Sequence, residues 1–87
     1  MSADDNARIV QPVKEQLVRQ KAIVLAAAES VTDQAVARHL RDLAGDLQQA
    51  IYLHLDRGAL RLIQRDAEYE EQAWRDEEAR LRHKAIV

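Results

Sequence analysis

Cysteine is absent from this sequence, and so is phenylalanine. Without cysteine there is no disulfide and no cysteine-held zinc, two of the staples on which small domains rely. Glycine occurs only as Gly45 and Gly58, and proline only as Pro12. A sheet needs turn residues and β-branched runs, and neither is present. Long apolar runs are missing too. The most apolar stretch, Ala22 to Ala28, is far shorter than the roughly 20 residues that cross a bilayer. Net charge of −2 supplies no bulk attraction to nucleic acid or to an anionic membrane. Residues Met1 to Asn6 lack the basic start and apolar core of a signal peptide. These absences predict a soluble cytoplasmic protein, with no membrane contact, no metal and no cofactor.

What is there is helix-forming material. Ala, Leu, Arg, Gln and Glu dominate, all of them good helix formers. Eighty-seven residues make one domain, near the lower size limit for a lone hydrophobic core. With the other staples excluded, oligomerisation is the one left. The expected fold is all-α: a helical hairpin or three-helix bundle with a long charged C-terminal helix, dimeric, and a single domain over residues 1–87.

Residues 1–8 are polar and acidic and are expected to be disordered. Pro12 suits the first turn of a helix, so the first helix is expected over 12–29. Its stripe is Val10, Val13, Leu17, Val24, Ala27 and Val31, a heptad-like spacing broken by Gln20. Ala22 to Ala28 is apolar all round and calls for cover on several sides. Ser30 or Thr32 can cap a second helix over 32–57, striped by Val36, Leu40, Leu43, Leu47, Ile51 and Leu55. Gly45-Asp46, with Gln49, has the form of a helix restart, but the stripe runs through it in phase, which predicts continuity. Asp56-Arg57-Gly58 can end that helix. A third would then span 59–84, with Leu60, Ile63, Ala67, Trp74 and Leu81 as its stripe and Glu70 and Glu77 at the intervening seam positions. Without a break at Gly58, the second and third helices would fuse into a rod about 75 Å long, which would demand a dimer.

Candidate chemistry is sparse. The acidic run from Asp66 to Glu78 reads as a solvated face, because Glu71, Asp76 and Glu78 each precede an arginine by four positions. Arg57, Arg61 and Arg65 form a ridge on one helix face, able to meet phosphates or an acidic partner. In an antiparallel pair of third helices crossing near Tyr69, Arg61 of one copy would approach Glu77 of the other. His39, His54 and His83 are scattered, and the one acid at helical spacing from any of them, Asp42 three residues after His39, supplies too few ligands for a metal site. A helix-turn-helix over 32–55 has suitable lengths, yet its second helix offers no Arg or Lys to base edges. No phosphate loop and no nucleophile with a nearby base is present, so catalysis is not expected. Trp74 stands among charged residues, where a large aromatic points to an intermolecular contact.

The expected function is a non-enzymatic protein–protein interaction module, an oligomeric adaptor or regulator. It would dock by coiled-coil or helix-in-groove contact through Leu60, Ile63, Ala67, Trp74 and Leu81, with a second copy and a protein partner. The segment Arg57 to Glu78 resembles, in composition, the charged helical tails of small bacterial antitoxins. The alternative rests on the basic ridge: a small nucleic-acid-associated regulator or antitoxin-like protein with Arg57, Arg61 and Arg65 on phosphates and the acidic tail on a partner protein.

Overall fold

A computed structural model describes residues 3–86 of the chain. It is all-helical over those residues: α1 (Ala3–Ser30), α2 (Gln34–Tyr52) and α3 (Arg57–Ile86) form a three-helix bundle. Glu78, late in α3, reaches the α1–α2 turn, so α3 runs parallel to α1 and antiparallel to α2. The bundle measures 59 × 16 × 14 Å. The longest helix, α3, spans only about 45 Å at the usual rise, so the helices are staggered. No helix among the described residues is long and apolar enough to cross a membrane.

The core follows the stripes. Val10, Val13, Leu17, Val24 and Ala27 of α1 meet Val36, Leu40, Leu43 and Leu47 of α2. Leu60 and Ala67 of α3 close the third side. Each fully buried Leu (Leu17, Leu40, Leu47 and Leu60) contributes roughly 1.5–3 kcal/mol. Gln20 does not interrupt the α1 stripe. It occupies the next core position in phase and is buried, and its Oε1 meets no hydrogen-bond donor among the described residues.

Helix boundaries differ from the sequence expectation at several points, each for a local reason. α1 begins at Ala3, so Ala3–Arg8 are helical and only Met1 and Ser2 of the expected disordered segment lie outside the described residues. Pro12 sits inside α1 rather than at its start. It withholds the N–H that would bond the Arg8 carbonyl, on an exposed side of the helix where water can replace it. The cap of α2 is Asp33, not Ser30 or Thr32: its carboxylate accepts from Val36 N–H at 3.0 Å. Ser30 instead donates its hydroxyl back to the Ala27 carbonyl at 2.9 Å.

α2 runs unbroken through Gly45, whose surroundings leave an added Cβ with nothing within 4 Å. The break between α2 and α3 falls before Gly58. Tyr52 ends α2, and Asp56 caps α3 by accepting from Ala59 N–H at 2.8 Å. Gly58 lies in the first turn of α3 with ordinary helical handedness. The fused rod does not form.

Candidate functional site

α3 touches both other helices, and this decides which of its residues are available. Two interleaved series fit its 3-4 spacing from Leu60 to Leu81. One passes through Ile63, Glu70 and Glu77, the other through Gln64, Glu71 and Glu78. Burial favours the second: Glu78 is only 6% exposed and Glu71 is half-buried, whereas Glu70 is exposed. The buried arc is wide because one edge of α3 lies on α2 and the other on α1.

The stripe expected to dock another chain packs within this one. Leu60 and Ala67 are buried in the core, and Ile63, Trp74 and Leu81 pack against it. Trp74 stacks on His39 of α2, with ring centroids 4.1 Å apart and planes 7° from parallel. Its large surface is thus covered largely by its own chain. A lone tryptophan on a polar helix carries no signal of which neighbour will cover it.

Glu78 is the most elaborately held side chain. Thr32 donates both its N–H (2.8 Å) and its hydroxyl (2.7 Å) to Glu78 Oε1. Asp33 N–H donates to Oε2 at 3.3 Å, and Arg82 Nε donates to Oε1 at 3.1 Å. Arg82 also reaches the Ser30 carbonyl at 3.3 Å. These donors hold the Glu78 carboxyl down at about 2, the Thr32 N–H contributing most and burial opposing it. One carboxylate thereby ties α3 to the turn between α1 and α2. The sequence hinted at this only through the in-phase position of Glu78, because its i, i+4 arginine offered a local explanation.

The rest of the acidic run is exposed or half-buried and, where paired, is held within α3. Glu71 pairs with Arg75. Glu77 pairs with Arg80 at 2.5 Å, which lowers the Glu77 pKa and raises that of Arg80. Asp76 therefore does not hold Arg80, as its spacing suggested. It accepts from Gln72 at 2.9 Å instead. Glu77 is also about 160° around the helix from Arg61, so the two cannot meet along one edge of an antiparallel α3 pair.

Arg57, Arg61 and Arg65 are all exposed, and none of them joins an ion pair among the described residues. Arg61 and Arg65 line a polar groove of about 300 Å³ with Gln16, Gln64 and Glu68. A larger groove of about 460 Å³ runs between the C-terminal ends of α1 and α3, past Ser30, Glu78, Arg82 and His83. Its serine and its buried carboxylate are both engaged in the contacts already described.

Among the described residues the exposed large apolar side chains are Ile9, Val18, Ile23, Leu25, Tyr52, Leu53, Leu62 and Tyr69, and two pairs of them stand two turns apart on one helix face. On α3, Leu62 is 61% and Tyr69 80% exposed, two turns apart on one face. On α1, Val18 is 51% and Leu25 39% exposed, with Ala22 between them and also exposed. Neither pair belongs to the stripes that first draw the eye, since both lie out of phase with the core. The signal was available in the Ala22–Ala28 run, which no single core can cover all round. No protein-family model matches the sequence, and comparison with curated proteins and with solved structures returns no significant match.

Proposed function

We propose that this chain is a cytoplasmic, non-enzymatic interaction module, an oligomeric adaptor or regulator that docks a protein partner on the outward face of α3. The observation that supports it most is the exposed pair Leu62 and Tyr69 on a helix whose inner stripe is already covered. Arg65 and Asp66 lie between them, both exposed. Tyr69 and Arg65 on one rigid surface are residue types enriched at binding hot spots, and Leu62 adds apolar area beside them. The mode would be coiled-coil or helix-in-groove docking, with side chains presented two turns apart.

A photo-crosslinking amino acid at Tyr69, in cells of the source organism, tests this reading. The expected result is one discrete adduct that disappears when Leu62→Asp is added. The reading is overturned by no adduct at position 69, or by the same adducts from Gln49, on exposed α2 surface.

A second reading draws on the basic ridge. Arg57, Arg61 and Arg65 are exposed and outside any ion pair among the described residues, and they extend over about 12 Å of helix. They could bind nucleic-acid phosphates while the acidic part of α3 engages a protein. A gel shift at low salt, where phosphate contacts are strongest, decides. Binding lost in Arg61→Glu supports this reading, and no shift at low salt removes it.

A further inference from the structure

The six arginines of α3 divide into two sets. Arg75, Arg80 and Arg82 each hold a carboxylate three or four residues away on the same helix. Arg57, Arg61 and Arg65 hold none among the described residues. The spacing accounts for the split. The positions three and four away from Arg61 are Arg57, Gly58, Gln64 and Arg65, and none is acidic. Like charges at i, i+4 oppose a helix, and Arg57 also stands at its positive end, in a first turn without an acid. Asp56, the carboxylate just before it, is taken up by the cap. A face meant only for solvent would carry acids among these arginines, as the later part of α3 does.

Arg61 and Arg65 do not lie on an open ridge. They line a recess between α3 and α1 with Gln64, Glu68 and, from α1, Gln16. Glu68 is the one acid there, and its Oε1 accepts from the Gln64 amide at 3.3 Å. On α1 the residues three and four away from Gln16 are Pro12, Val13, Arg19 and Gln20, none of them acidic. Glu15 lies about 100° round the helix from Gln16. Two guanidinium groups and two side-chain amides thus bound one concave surface with a positive balance. Guanidinium forks and amide N–H groups are the donors that phosphate oxygens take. Arg57 does not line the recess and sits about 6 Å further back along the helix.

We propose that this recess seats a single phosphate group of a nucleic-acid strand, held jointly by Arg61 and Arg65 of α3 and by Gln16 of α1, with Arg57 on a neighbouring phosphate. This seat rests on the nucleic-acid reading of the basic ridge and deepens it. A ridge offers three independent contacts. The recess merges two of them into one and brings in a neutral ligand from a second helix. Its contacts are to phosphate, so binding is independent of base sequence.

Fluorescence anisotropy of a labelled oligonucleotide with the full chain, over a series of salt concentrations, tests the seat. Gln16, Arg61 and Arg65 are all exposed, so their variants should keep the parent's helical circular dichroism. Arg61→Ala and Arg65→Ala should each weaken binding by about tenfold, and the double variant by little more than either, because the two share one phosphate. Arg57→Ala should instead multiply with Arg61→Ala. The Arg61/Arg65 double variant should lower the slope of log affinity against log salt by about one. Gln16→Ala should weaken binding at unchanged slope, since no charge is lost, and Gln16→Glu should weaken it further. Two unrelated base sequences should respond alike. If the losses at Arg61 and Arg65 multiply, or if Gln16→Glu binds like the parent, the seat is overturned and the nucleic-acid reading stands. No binding of single-stranded or duplex oligonucleotide at low salt removes both. Inorganic phosphate that shifts the Gln16 and Gln64 side-chain amide resonances, with no oligonucleotide bound, would overturn the nucleic-acid source and keep the phosphate seat.

Discussion

The bundle has two turns, Val31–Asp33 and Leu53–Asp56, each ending in an aspartate that caps the next helix. At the first, Glu78 of α3 takes donors from Thr32 and Asp33, and Arg82 reaches Ser30, so all three helices meet in one network. At the second, no hydrogen bond among the described residues runs from the turn to α1, and Tyr52 and Leu53 stand exposed beside it. The two turns use one local device. They differ in whether a distant part of the chain completes it. Local capping stops and starts a helix; at the first turn the long-range carboxylate adds a polar tie to the apolar contacts that place the third helix.

Four changes would break or sharpen this contrast, from the largest effect to the smallest. Two glycines inserted after Val31 should displace Thr32 and Asp33 from Glu78 and lower Tm more than any single substitution here. The same insertion after Leu53 should cost about 1 kcal/mol or less, since loop closure depends weakly on length. Equal losses at both sites in a thermal melt would erase the distinction.

Next comes Glu78→Ala, which should lower Tm on the order of 10 °C by stranding the Thr32 and Asp33 donors. Asp56→Ala, which removes only a cap, should cost about 1 kcal/mol. The same carboxylate gives the clamp a pH dependence. Glu78 in the folded chain titrates at about 2, below its ordinary 4.5, so its stabilisation is complete above pH 4.5 and is lost as pH falls from there towards 2. Glu78→Gln should flatten that part of the acid limb. A variant with the same acid limb as the parent would show that the clamp does not act through its charge.

Pro12→Ala should stabilise the protein by about 2 kcal/mol, the return of a helix-interior N–H less the loss of unfolded-state restriction. A proline at a helix start would give no gain on replacement, so a chemical-denaturation curve that does not move would place the start of α1 back at Pro12. The smallest effect belongs to Gly45→Ala, about 1 kcal/mol of stabilisation, because the site is mid-helix, exposed and open. Destabilisation there would mean that α2 breaks at Gly45 after all.

Much of the fold was legible in the sequence, and the readable parts share a cause. Val36, Leu40, Leu43 and Leu47 recur at helical spacing, so one face of α2 had to be buried whatever covered it. Continuity through Gly45 followed from the same phase. The interaction surface was harder to see. Leu60, Ile63, Ala67, Trp74 and Leu81 formed a thin stripe that suggested an outside partner, yet α2 and α1 flank α3 and cover it. Leu62 and Tyr69, the residues left outward, are separated by charged and polar neighbours and form no stripe of their own. Gln20 and Glu78 were read as a break and as a surface charge, because polarity says nothing of a position's burial when the helix phase places it inside.

The sequence by itself determined that this protein is helical, where the helices break to within a few residues, and which positions could face a core. Those properties rest on propensity and on a period set within a few residues of chain. Tertiary structure alone decided which of the interleaved seams on α1 and α3 turned inward, that His39 would cover Trp74, and that Glu78 would hold the α1–α2 turn. A seam is buried only if another helix lies against it, and that placement depends on residues distant in the chain. Glu78 shows the distinction most directly: its i, i+4 pair with Arg82 is local and legible, while its bonds to Thr32 and Asp33 exist only because the third helix returns alongside the first.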